Sequence, residues 1–414
     1  MKIVILGAGL AGVTTAHCLA ADGHEVVLLE RNAELAAEAS GANAGIVTGS
    51  RAFPWANPQM LKTFLRALTR NDQAVRVFLA RWDPQFWAWG LRFLACCGAA
   101  RYEQILRRKV AFVRYAQAQL GAIAAETGVE FHRGRGVLYM YRSEQALEAG
   151  IKKVEPMREF GFEYRTLDAA GARSIDPGLA HAPIVGAVYS ATDESGDSAL
   201  FCRGLSARLL EGGAVFRAGC EVRGLETEGE RVTAVMTSEG RIAADAFVCA
   251  LGVIEPALKK QLGADLPIYP VRGFSTTLPV IDPQRAPRLA GMDESRLVAY
   301  CPMGDRLRVT GGAEFAGWGR KSQPADFERL YAAAEELFPG AVDASRAQSR
   351  VCRRPMTPQS TPLFGTGRYR NLWFNVGLGH MGWTMACGGA RITADLIAGR
   401  KAAIALEGLL VGPA

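Results

Sequence analysis

The sequence has no CxxC pair, and its nine cysteines, at 18, 96, 97, 202, 220, 249, 301, 352 and 387, are odd in number and not paired in spacing. Neither a disulfide framework nor a zinc site is supported, and most of these thiols read as small buried apolar groups. Histidine is scarce, five in 414 residues, and none falls at metal-ligand spacing, so no metal site is expected. No stretch reaches the run of about 18 uninterrupted apolar residues that a membrane span needs. Only nine of the 48 basic residues are lysine, and the net charge of +7 is spread without a basic tail, which argues against nucleic-acid binding. Internal repeats and low-complexity tracts are also missing. The chain enters an apolar run at Ile3, which leaves no room for a cleavable leader. A cytoplasmic protein, or one peripheral on the inner face of the cell membrane, is therefore expected. With 49% hydrophobic residues over 414 positions, there is material for two domains.

What is present is concentrated first at the N-terminus. Ile3 to Leu6 runs directly into Gly7-Ala8-Gly9-Leu10-Ala11-Gly12. This predicts a buried parallel strand, a glycine turn and a helix. Gly7 permits the tight turn, Gly9 lets backbone approach a pyrophosphate, and Gly12 lets the helix lie close on the strand. A phosphate at the helix N-terminus gains from free N–H groups and the helix dipole. A second strand then ends in Glu30, 18 residues past Gly12, with Arg31 next. A carboxylate at that point accepts hydrogen bonds from an unphosphorylated ribose diol, so the pattern specifies FAD or NAD over NADP without choosing between the first two.

Further on lies Ala39-Ser40-Gly41-Ala42-Asn43-Ala44-Gly45, too rich in small residues for core and too short for a linker. Its backbone can pass closely over a flat, bulky ligand. The glycines, Glu30 and this loop together resemble the flavin amine-oxidase families of the D-amino-acid oxidase and glycine oxidase type. They are most similar to the small-subunit family of bacterial D-amino-acid dehydrogenases, which has a like Asn-Ala-Gly loop followed by a Pro-Trp segment, here Pro54-Trp55. The resemblance implies FAD, held non-covalently since no cysteine stands where attachment would fall. It places Ser40, Asn43, Ala44 and Gly45 at the cofactor, with Val222 and the Ala250-Leu251-Gly252 turn as a second approach.

Two later blocks strengthen the resemblance: Arg353-Arg354-Pro355-Met356-Thr357-Pro358, and Gly377-Leu378-Gly379-His380-Met381-Gly382-Trp383-Thr384. The second reads as a glycine turn between strand and helix, which aims backbone N–H groups at an electron-rich ligand atom. By resemblance this turn meets the pyrimidine side of the flavin, and Arg354 binds the substrate carboxylate. A planar guanidinium suits that task because its donors engage a carboxylate in pairs. One departure stands out. The family's histidine at 378 is Leu378 here, and a histidine stands instead at 380. His380 is expected to line the flavin or substrate pocket, or else to sit where backbone matters more than side chain. Tyr269 and Tyr300 are candidates to hydrogen-bond the substrate, or simply to pack.

The expected architecture is α/β, a Rossmann-like FAD-binding domain (1–58, 190–255 and 350–414) interleaved with an α+β substrate domain on an antiparallel sheet (59–189 and 256–349). Residues 60–130 read as helical, with Asp83-Pro84 as N-cap and first helical position. Phe86, Trp89 and Phe93, with Trp82 just before, make an aromatic face among Arg76, Arg81, Arg92, Arg101, Arg107, Arg108 and Lys109. Packing on a second domain, with a solvated basic edge, is the preferred account, and contact with an anionic membrane the alternative. The reaction implied is oxidative deamination of a D-amino acid to a 2-oxo acid and ammonia, with hydride passing from Cα to flavin N5 and electrons leaving to a quinone or other acceptor. Oxidation of a secondary amine of the glycine, sarcosine, D-proline or hydroxy-D-proline type is the competing chemistry. A silent FAD subunit and a soluble NAD dehydrogenase are the more distant alternatives.

Overall fold

Ile3, Val4, Ile5 and Leu6 are each fully buried, as a continuous apolar run in a parallel sheet requires. A computed structural model of the chain describes residues 1–60, 75–78 and 83–413. Arg81, Trp82 and the start of the expected 60–130 helical stretch lie outside the described residues. The strand Lys2–Leu6 pairs in parallel with Glu25–Leu29 on one side and Ala246–Cys249 on the other. Val215–Arg217 and Leu372–Val376 extend the sheet in parallel, and Leu363–Thr366 closes it antiparallel. On one face pack the helices Leu10–Ala21, Ala99–Thr127, Ser198–Glu211 and Gly382–Ile397 around an apolar core that includes Val13, Val113, Phe201 and Trp383. On the other lies a three-stranded antiparallel layer, Val222–Glu228, Arg231–Thr237 and Gly240–Ala243. This is a Rossmann-like layered arrangement, with the strand–helix–strand unit at its centre.

The second sheet has ten strands, mostly antiparallel. Its long strands, Tyr269–Pro279, Arg306–Phe315 and Gln348–Met356, lie side by side, with Gly134–Tyr141 and Gly186–Ser195 further along. The domain limits drawn at 189/190 and 349/350 fall inside Gly186–Ser195 and Gln348–Met356, so both strands belong to this sheet. Val75–Val77 is a strand where helix was expected. Its two β-branched valines flank Arg76, and it pairs in parallel with Ala313–Phe315. Asp83 caps the helix Pro84–Ala95 as the sequence predicts, accepting from the Gln85 and Phe86 amides at 3.0 and 3.2 Å. Phe86, Trp89 and Phe93 turn inward against Tyr269, Val271 and Phe315. Lys109, expected on the solvated basic edge, is instead fully buried. Helix periodicity places it in register with the buried Ile105, Leu106, Phe112 and Val113.

Candidate active site

The first turn is built from missing side chains. Gly7 adopts φ +101°, a conformation that favours glycine. A Cβ at Gly12 would stand 1.8 Å from the Gly7 carbonyl oxygen, and one at Gly9 would stand 2.9 Å from Ser40 Oγ. Backbone therefore forms the cradle at the helix N-terminus. Ala8 N donates to Glu30 Oε2 at 3.1 Å, and Asn32 donates to Oε1 from its amide and side chain at 3.0 and 2.6 Å. Arg31 pairs with Glu38. Ser40 Oγ accepts from Leu10 N at 2.9 Å, and Asn43 Oδ1 accepts from Gly45 N at 2.9 Å, which fixes the small-residue loop.

Arg308 clamps that loop from the larger sheet, a role that sequence reasoning missed. It is buried, and donates to Gly41 O at 2.8 Å, Asn43 O at 3.0 Å and Thr277 Oγ1 at 2.6 Å. Burial lowers its pKa, opposed by the nearby Asp197 carboxylate. No sequence signal marks it: strand alternation turns Arg308 to the face opposite the core residues Leu307 and Val309, where only the tertiary neighbour decides its role. Arg308→Met strands two loop carbonyls without their charged donor. FAD affinity is expected to fall about tenfold, in line with roughly 1–3 kcal/mol for buried charged hydrogen bonds. Fluorescence titration of the apoprotein with FAD measures it.

A single long cavity joins the expected segments. Gly7, Gly9, Leu10 and Ala11 border it with Glu30 and Arg31, as do Ser40, Asn43 and Ala44 of the loop. Val222 and Gly252 line it from a third direction, and Arg354, Gly379, His380 and Gly382 from a fourth. Other expected residues stand behind it. Gly45 lies against Cys301 and Met303, and Gly377 against Thr357. Met381 and Trp383 are core, and the Thr384 hydroxyl accepts from Thr48 N at 3.1 Å. Ala8 and Gly12 act through their backbone in the turn.

Arg354 enters the cavity from strand Gln348–Met356. Its Nη1 donates to Gly312 O at 2.6 Å, and its Nη2 lies 2.5 Å from where Gly273 would carry a Cβ, so a glycine makes its room. No carboxylate pairs with it among the described residues. Arg353 points to the opposite face and stacks over Trp318. His380 stacks on Trp55, with ring centroids 4.9 Å apart. Burial, then the charges of Lys109 and Arg354, hold its imidazole well below the usual range and therefore neutral.

The two tyrosines do not join this group. Tyr269 donates to Asp83 Oδ2 at 2.9 Å and packs among Phe86, Trp89 and Phe315, and burial plus that carboxylate raise its pKa. Tyr300 is fully buried on the far face of the sheet, 4.8 Å from the Phe338 ring, with its hydroxyl toward Met140 Sδ. Strand alternation explains it. Cys301 and Met303 point toward Gly45, so Tyr300 must point away. Among the described residues no cluster of His, Cys, Asp or Glu is fit to hold a metal ion, and all nine cysteines are unpaired.

A glycine cradle, a carboxylate at the end of the second strand and a cavity running on to Arg354 define a dinucleotide-dependent redox protein, and the chain belongs to the FAD dependent oxidoreductase family, whose model matches residues 2–396. It is 43% identical to the D-amino acid dehydrogenase 2 of Mesorhizobium japonicum over the full length of both chains. It is 40% identical to the D-amino acid dehydrogenase of Paramagnetospirillum magneticum, covering 99% of this chain and 98% of that one. Glycine oxidase from Bacillus cereus shares the fold, with a TM-score of 0.73 at 21% identity over 97% of this chain and 95% of that one. FAD is the cofactor, and a cavity bordered by the backbone at Gly9, by Glu30 and by Gly379, His380 and Gly382 suits it.

Proposed function

We propose that the protein oxidises D-amino acids to 2-oxo acids and ammonia, and passes the electrons to a quinone or another acceptor in preference to oxygen. The observation that carries this is Arg354, a guanidinium fixed at the cavity by the Gly312 carbonyl with no carboxylate of its own among the described residues. It supports a paired hydrogen bond to a substrate α-carboxylate. FAD supplies the two-electron acceptor when bound. The chain's part is positioning: Arg354 fixes the carboxylate and so the direction of the Cα–H bond, while Leu378 and His380, the latter backed by Trp55, shape the cavity lining. The amine reacts in its neutral form, and water hydrolyses the imino acid released.

On this account the smaller sheet and its helices form the FAD-binding unit and the ten-stranded sheet the substrate unit, with Ser40, Asn43, Gly379, His380 and Gly382 at the flavin. Among the described residues no helix is long and apolar enough to cross a membrane. Leu91 and Leu94, exposed on the outer face of Pro84–Ala95 near Arg92 and Arg101, support peripheral contact with the inner membrane face. Anaerobic mixing of the holoprotein with D-alanine, L-alanine, sarcosine and D-proline tests the activity. Bleaching of the flavin by D-amino acids is expected. Bleaching by sarcosine alone, or by no amine, would overturn the assignment.

A further inference from the structure

Paired strands put their opposed residues on one face of a sheet. In the ten-stranded sheet, Cys352 stands opposite Gly273 and Arg350 opposite Ser275, while on the other side Thr310 stands opposite Ser275 and Arg308 opposite Thr277. Arg354, Cys352, Thr310 and Arg308 therefore share one face, and Arg354, Cys352 and Thr310 line the cavity there. Arg354 and Arg308 are each anchored. The first donates to Gly312 O, the second to the carbonyls of Gly41 and Asn43. Thr310 lies two residues from Gly312 and two from Arg308 on the strand Arg306–Phe315, so it stands between the two anchors.

Thr310 is buried, at 5% exposure, and its hydroxyl has no hydrogen-bond partner among the described residues. The other hydroxyl that borders the cavity, Ser40, already accepts from Leu10 N at the first turn. A buried hydroxyl without a partner costs free energy, which a ligand that supplies one recovers. An amino acid whose carboxylate rests on Arg354 carries its next polar group, the amine, on the adjacent carbon. In its neutral, reactive form that amine has two N–H donors and one lone pair. We propose that Thr310 Oγ1 accepts a hydrogen bond from the substrate α-amine, so that Arg354 and Thr310 hold the substrate at two points. The bond takes an N–H and leaves the lone pair free to form the C=N bond as Cα gives up its hydride. With two of the Cα substituents held, hydrogen and side chain take the two remaining directions, which are exchanged between D- and L-substrates. The proposal rests on the D-amino-acid assignment and adds to it a residue for the amine.

Propionate is D-alanine without its amine. The kcat/KM for D-alanine, and the inhibition constant of propionate against it, are measured on the wild-type holoenzyme, T310V and T310S. T310V replaces the hydroxyl with a methyl of like size, and T310S keeps the hydroxyl and drops the methyl. In T310V the kcat/KM for D-alanine is expected to fall about tenfold, the scale of one hydrogen bond left unmade in a buried site, while the propionate constant is unchanged. T310S is expected to keep most of the wild-type efficiency. An equal loss for both compounds in T310V would place the effect on the carboxylate or on packing, and overturns the proposal. So does an efficiency unmoved by T310V, which would leave the amine to another acceptor such as His380. Equal losses in T310V and T310S overturn it as well, since the methyl and not the hydroxyl would then matter. If D-alanine fails to bleach the wild-type flavin at all, the D-amino-acid assignment itself falls, and this proposal with it.

Discussion

Arg354→Ala is expected to lower kcat/KM for D-amino acids by about two to three orders of magnitude while leaving the FAD content of the purified protein unchanged. The arginine is held where it stands by the Gly312 carbonyl and by the space at Gly273, and it has no carboxylate partner among the described residues. Its removal therefore breaks no internal ion pair, and the loss falls on the substrate. Truncating one partner of a desolvated, hydrogen-bonded charge pair costs about 2–5 kcal/mol, which sets the scale. Arg354→Lys keeps the charge but loses the paired donors, and intermediate activity is expected. Steady-state turnover with an artificial electron acceptor, beside the flavin-to-protein absorbance ratio, checks both variants. Substantial turnover in Arg354→Ala would remove the residue from substrate binding.

Gly12→Val should have the largest effect on the fold. The added Cβ meets backbone, the Gly7 carbonyl oxygen at 1.8 Å, so no side-chain rotation relieves the overlap. The helix Leu10–Ala21 must move away from the strand that carries the turn. Overpacking at such a site costs about 3–5 kcal/mol, at the upper end for single substitutions. Little flavin-loaded protein is expected, and its thermal midpoint should fall by on the order of 5–10 °C. Gly23→Ala is the control. Gly23 has φ +83° but nothing within 4 Å of an added Cβ, so only backbone strain of about 1 kcal/mol applies. Similar losses in the two variants would show that close packing at Gly12 is not the cause.

The parts of the site that were legible in the sequence are those written locally. The strand, the glycines and Glu30 lie within thirty residues, and the strand, turn and close helix packing they form follow from that spacing. Arg354 stands in a short block whose resemblance to a known family is specific. The parts that were not legible depend on register between distant segments. Tyr300 looks like a candidate ligand until the pairing of Val298–Met303 sends it to the far face. Arg308 looks like one more arginine in a strand until it reaches Gly41 and Asn43 of the other unit. Lys109 reads as a surface cation because the sequence does not reveal that its side of the helix is covered by the segment around Phe53. In each case the tertiary neighbour, and not the residue type, decides the role.

The interleaving of the two sheets bears on how the protein is made. Ile3 pairs with Ala246, and Phe247 pairs in turn with Leu372. The strand Lys2–Leu6 thus lacks its inner neighbour until the chain as far as Ala246 has been synthesised, a delay on the order of ten seconds or more at ordinary elongation rates. During that time its apolar residues have only Glu25–Leu29 as a partner, and the loop that Arg308 holds has no clamp. The loop at Gly41 and Asn43 therefore gains its clamp only once the strand that carries Arg308 has been made. In that interval the unpaired strand edge is the kind of feature that exposes a chain to aggregation, and a ready supply of FAD is expected to favour recovery of the folded enzyme.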